Sequence, residues 1–103
     1  MKQASVPPNM AMSARMTLTP TPALDKKIAD AQGGDKKKLA QAYTARGTFR
    51  MNDTAAAPRV IYRAALSDYR QALKLDPTNK EAQANTALIE SIYKSMGRPI
   101  PTV

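Results

Sequence analysis

Residues 63–83, RAALSDYRQALKLDPTNKEAQ, decide the fold. Taken with the residues just before them, Ile61, Ala65, Tyr69 and Ala72 fall on one stripe of a helical wheel, widened by Tyr62, Leu66 and Leu73. Arg59, Arg63, Arg70 and Lys74 share the opposite side. The helix stops at Asp76-Pro77, because Pro restricts the residue before it and brings no N–H to the ladder. Thr78 and Glu81 have the spacing of a capping box, which signals the start of another helix. The stretch therefore reads as helix, sharp turn, helix, and no catalytic group falls within it.

Upstream, Asp35 is placed to cap a helix predicted to run to about Met51. Leu39, Tyr43 and Gly47 lie on one face of it, with Ala40 and Met51 beside them. A mid-helix glycine costs about 1 kcal/mol against alanine, so Gly47 predicts close approach of the partner helix. Arg46 and Arg50 fall on this same inward face, and an inward guanidinium needs a carboxylate. Asp68 sits within the apolar stripe of the long helix, so Arg46 and Asp68 are expected to pair across the hairpin. Residues 52–57 make the connection, and Pro58 is suited to open the long helix.

These residues resemble the tetratricopeptide repeat family, whose pattern is W-x2-L-G-x2-Y, then A-x3-F, then P. Ala65-x3-Tyr69, Ala72 and Pro77 match its second half, LKLDPTN at 73–79 reads like its turn, and Tyr43-x2-Arg46-Gly47 is similar to its first half. The chain departs from the pattern at Arg50, where an aromatic is expected, and in the 18 positions from Gly47 to Ala65. The resemblance covers one repeat and a following helix, from about Asp35 to Gly97. It implies an all-α hairpin with Tyr43, Arg46, Gly47, Ala65, Asp68, Tyr69, Ala72 and Pro77 as structural residues, and it implies protein–protein scaffolding rather than chemistry.

Around that unit the chain divides into four parts. Residues 1–20 hold three Pro and four Met, no acidic residue and no period, and read as an extended arm. Ordering such an arm costs on the order of 20–40 kcal/mol, so the arm is expected to gain order only against a partner. Met10, Met12 and Met16 are the anchors, because a flexible thioether fits irregular apolar grooves. Residues 21–34 form a short helix, with Thr21 as cap, Pro22 at the first position, and a stripe of Leu24, Ile28 and Ala31 before Gly33-Gly34. The lysines at 36–38 lack the spacing of a phosphate-binding loop. Within the 35–97 domain, the last helix spans about 79–96, with Leu88, Ile89, Ile92, Tyr93 and Met96 as its apolar face and Glu90–Lys94 as a surface pair. Gly97 stops it, and residues 98–103 form an extended, proline-spaced tail in which Ile100 is a second docking point.

The totals narrow the function. The 103 residues contain no Cys and no His, which removes disulfides, thiol chemistry and the commonest general base and metal ligand. Neither an enzyme nor a cofactor or metal site is expected. Sixteen basic residues against eight acidic give a net charge of +8, which points to an anionic partner. That partner is expected to be a protein or multi-subunit complex with an acidic surface, met through Arg59, Arg63, Arg70 and Lys74. Anionic lipid headgroups are an alternative contact. Nucleic acid is less favoured, since no helix-turn-helix, zinc-finger or RNP pattern is present. With no membrane-spanning run and no secretion signal read at the start, the expected location is cytoplasmic, with peripheral attachment to a membrane complex left open. One repeat cannot bury its own faces, and about three are usual, so the chain is read as a small accessory subunit or adaptor of a larger assembly.

Overall fold

The apolar stripe of residues 58–75 is long enough to receive a helix on either side, and the architecture follows from that. The computed structural model describes residues 15–103 and is all-α. Its helices are α1 (Pro22–Ala31), α2 (Lys36–Met51), α3 (Pro58–Leu75) and α4 (Lys80–Ser95). Each helix packs on the one before it, and the α2–α3 hairpin is the most extensive contact. Among the described residues there is no strand, only one parallel bridge between Arg15 and Ala56.

Alanine makes the core tight. Ala40, Ala65, Ala72 and Ala82 are fully buried, together with Leu66, Tyr69 and Ile89, and Tyr93 is nearly so. Burying a Leu or Ile side chain is worth roughly 1.5–3 kcal/mol, whereas alanine contributes mainly by letting backbones approach. Gly47 takes that approach to its limit: a Cβ there would lie 3.0 Å from Tyr69 Cε1 and 3.2 Å from two more ring atoms. The ring has little freedom to give way, because its hydroxyl is held by α2 and α4 together. Asn85 Nδ2 donates to the phenol oxygen at 3.0 Å. Thr48 Oγ1 lies 2.8 Å from it and itself donates to Glu81 Oε2 at 2.6 Å, so the phenol donates to Thr48.

Asp68 is 3% exposed and accepts three charge-assisted bonds from α2. Arg46 Nε and Nη2 grip its two oxygens at 3.1 and 2.9 Å, and Arg50 Nη1 adds a third bond at 2.9 Å. Arg46 Nη1 also reaches Asp25 Oδ1 on α1 at 2.9 Å, which joins the short helix to the hairpin. Asp68 first, then burial working against it, then Asp25 set the Arg46 guanidinium, and the net effect holds its proton more firmly than usual.

Three local expectations are corrected. Thr21 is at the cap position of α1, but its hydroxyl donates to Asp25 Oδ1 at 2.7 Å instead of accepting from the helix. The cap of α4 is Asn79, not Thr78: Asn79 Oδ1 accepts from Ala82 N–H at 3.0 Å, while Thr78 Oγ1 donates to Asp76 Oδ1 at 2.6 Å. The other end of the Asn79 amide donates to Thr44 Oγ1 on α2 at 3.0 Å, so one residue starts α4 and anchors it. On α4 the buried face is Ala82, Ile89 and Tyr93, and Leu88 and Met96 are exposed. α4 has helices on one side only, so its apolar stripe is wider than the surface available to cover it.

Breaking a buried ion pair from one side costs about 3 kcal/mol where the remaining cations keep some solvent, so Asp68→Asn should lose that much stability. An unchanged urea midpoint would contradict it. A second expectation concerns acid. Asp25, held down by the Thr21 hydroxyl and then by Arg46, Asp53, held down by the Thr19 hydroxyl and the Ala55 N–H, and Asp76, held down chiefly by the Thr78 hydroxyl, all titrate below the usual aspartate range. Folded-state values below the unfolded ones give stability that is complete above about pH 4 and is lost as pH falls through the lower values. Thermal stability should therefore decline below about pH 4, and more shallowly in an Asp25→Asn/Asp53→Asn/Asp76→Asn variant. Equal slopes would refute the assignment.

Candidate docking groove

The C-terminal end of α4 is shaped to send the chain back over the hairpin. Met96 caps the helix, Gly97 N–H reaches Lys94 O at 3.0 Å and Arg98 N–H reaches Tyr93 O at 3.0 Å. This is a Schellman closure, and it places Gly97 at φ 67°, where a side chain would be strained. The tail from Arg98 onward then lies along α3. Ile100 and Val103 pack against the core cluster. Arg70 Nη1 donates to the backbone oxygens of Pro101 at 2.6 Å and Val103 at 3.1 Å. Arg70 Nη2 pairs with Glu90 Oε2 on α4 at 3.3 Å.

Between the tail and the N-terminal half of α3 runs an open groove of about 1020 Å³. Val60, Tyr62 and Ala64 of α3 line it with Tyr93 and Met96 of α4, and Pro99 and Ile100 of the tail complete the apolar part. Leu18 borders it as well, because Arg15 is tied to the 52–57 connection: Ala57 N–H donates to Arg15 O at 2.8 Å. Arg59, Arg63 and Arg98 are the charged residues of the lining, and among the described residues no Asp or Glu joins them.

The charge of the whole chain explains that absence. Each of the eight carboxylates accepts a hydrogen bond from within the chain. Asp35 caps α2, Asp53 and Asp76 close turns, Asp30 pairs with Lys26, and the rest cross between elements or bind Thr21. Of the basic residues in 15–103, only Lys26, Arg46, Arg50 and Arg70 are in ion pairs. The acids are bonded within the chain, and most of the cations are not.

The docking stripe expected from the sequence is thus divided. Arg59 and Arg63 open onto the groove, Lys74 is exposed but away from it, and Arg70 is not available because the tail and Glu90 occupy it. Ile100 is turned onto its own core rather than outward, since burial against α3 and α4 is closer at hand than any partner. Glu90 pairs with Arg70 and not with Lys94. Met16 is exposed, and Met10 and Met12 lie outside the described residues. The structural set is assembled around the hairpin: Arg46 and Asp68 are paired and Gly47, Ala65, Tyr69 and Ala72 are buried. Tyr43 is half-buried with the Arg46 guanidinium 5.7 Å from its ring centre, and Pro77 is in the exposed turn. Sequence reasoning missed Arg98 and Val103, and no local pattern signals either one.

Comparison with protein-family models, with curated proteins and with solved structures gave no match. No helix among the described residues is long and apolar enough to cross a membrane.

If Arg70 holds the tail, Arg70→Gln should free it. The expected result is loss of the NOE contacts of the Ile100 and Val103 methyl groups to the core, with about 1–2 kcal/mol of stability lost, as for charge-assisted hydrogen bonds. Persistence of those contacts would show that apolar packing alone secures the tail.

Proposed function

We propose that the chain is a non-catalytic interaction module, a small basic accessory subunit or adaptor that docks on an acidic surface of another protein through the groove beside α3. The observation that carries this reading is the division of charge: every carboxylate is engaged internally, and the groove lining holds three arginines with an apolar floor. A groove of that kind attracts an anionic segment over a distance and then buries its apolar side chains, the two steps that give association rate and residence time. The one-repeat resemblance fits this reading, because a hairpin with a spare helix leaves faces that further units would otherwise cover.

Its test is site-directed photo-cross-linking in the native host. A benzophenone side chain at Tyr62 should yield one defined adduct whose captured peptide is rich in Asp and Glu, whereas the same probe at exposed Gln41 on α2 should not. The adduct should vanish in Arg59→Glu/Arg63→Glu and weaken by about 0.5 M salt, where screening reaches a few ångströms. An adduct that survives charge reversal, or equal labelling from Gln41, would overturn the proposal. So would tight, steeply salt-dependent binding to RNA or DNA, or to anionic vesicles, with no protein adduct.

A further inference from the structure

The tail that walls the groove is held in a way that suits replacement. Of its side chains Ile100 and Val103, both half-buried, pack against the core, and its main polar bonds run from Arg70 to the oxygens of Pro101 and Val103. Oxygens are not specific to this tail. A partner carboxylate could accept from the same Arg70 Nη1 in their place. We propose that a helix of the partner protein, apolar on one face and carrying carboxylates along the adjoining edge, seats between α3 and α4 in place of the tail. This rests on the docking reading above and names the occupant of that site.

Three features favour a helix. First, the walls are themselves helices, so their backbone groups are already bonded and the groove has no ladder of free N–H and C=O groups for a strand to join. The tail avoids that difficulty because Pro99 and Pro101 have no N–H to satisfy and Arg70 takes the exposed oxygens. An ordinary extended peptide would bury unpaired amides, whereas a helix satisfies its own. Second, there is room: a helix ~10 Å across with a rise of ~1.5 Å per residue fills about 120 Å³ per residue, so the about 1020 Å³ open with the tail still in position already takes roughly two turns, and the departing tail adds to it. Third, the charge is complementary. Arg59 and Arg63 are one turn apart on α3, Arg98 lines the same groove, and Arg70 Nη1 becomes available as the tail leaves while Nη2 stays with Glu90. Residues three and four apart on a docked helix can present carboxylates at that same spacing.

Three 18-residue peptides on the full chain test this by fluorescence anisotropy. One is a stapled helix with a leucine stripe edged by glutamates, the second has lysines for the glutamates, and the third has the first one's composition interrupted by proline. The first should bind, and the other two should bind at least about ten-fold more weakly, each having lost one required property. In Ile100→Ser/Val103→Ser, which loosens the tail without removing it, binding of the first should tighten by about ten-fold if the tail occludes about nine molecules in ten. Adding the first peptide to the unaltered chain should remove the NOE contacts of the Ile100 and Val103 methyl groups to the core. If the loosened tail leaves affinity unchanged, or those contacts persist in the complex, the exchange is wrong. If the proline-interrupted peptide binds equally well, the helical occupant is wrong. In both cases the groove stands as long as Arg59→Glu/Arg63→Glu abolishes binding. If binding survives that reversal while circular dichroism shows the variant folded, the docking reading itself fails.

Discussion

A carboxylate in the middle of an apolar stripe is the constraint to which the hairpin is fitted. Asp68 cannot remain charged without partners, and the two guanidiniums that meet it come from positions one turn apart on α2. An alanine-rich interface specifies register weakly, because small side chains slide past one another at little cost. Moving α2 by one turn, about 5.4 Å, would leave one arginine opposite Asp68 instead of two and cost it part of its three bonds. The next residue on each helix applies the same rule by shape, since Gly47 opens the hollow that the Tyr69 ring occupies. Charge and shape therefore fix one register from adjacent positions, which accords with the best-attested role of buried polar groups.

From the hairpin the constraint passes to the start of α4 through oxygen and nitrogen as well as carbon. The chain Asn85 to Tyr69 to Thr48 to Glu81 runs from α4 through α3 and α2 and back to α4. Thr44, one turn from Thr48, receives Asn79 at the start of α4. These bonds fix the N-terminal half of α4 against α2, while its C-terminal half rests on α3 through Ile89 and Tyr93. The space left is beside α3, next to the end of α4, where the tail and the groove are found.

What could be read from the sequence follows the range of each interaction. The long helix, its proline boundaries, the inward Arg46 and Asp68, and the meaning of Gly47 all rest on periodicity or on chemistry that one element states for itself. The errors arise where two nearby partners compete or a distant one intervenes. Thr78 and Glu81 have capping-box spacing, but the Asp76 carboxylate takes the threonine hydroxyl and Thr48 takes the glutamate, which leaves Asn79 to cap. Glu90 is four residues from Lys94, yet a partly sheltered Arg70 is the better partner than a solvated lysine. Leu88 and Met96 share a stripe with Ile89 and Tyr93 but face the side on which no further helix stands. A linear reading puts Arg70 and Ile100 outward, because nothing in it shows that Gly97 turns the tail back.

The same division separates folding from recognition. Because the carboxylates other than the exposed Asp30 serve a cap, a turn or a bond between elements, removing one of them falls on the fold. Most of the cations have no such bond, so neutralising Arg59 or Arg63 removes nothing that α3 needs, and the loss falls on whatever approaches from outside. Arg70 belongs to both groups. It stabilises the tail, and the bonds it makes to the tail's oxygens are of a kind the proposed partner's carboxylate would supply instead. In the proposed exchange that residue is the point at which the chain opens, because its tail bonds can be replaced with no loss of hydrogen bonding and no helix has to move.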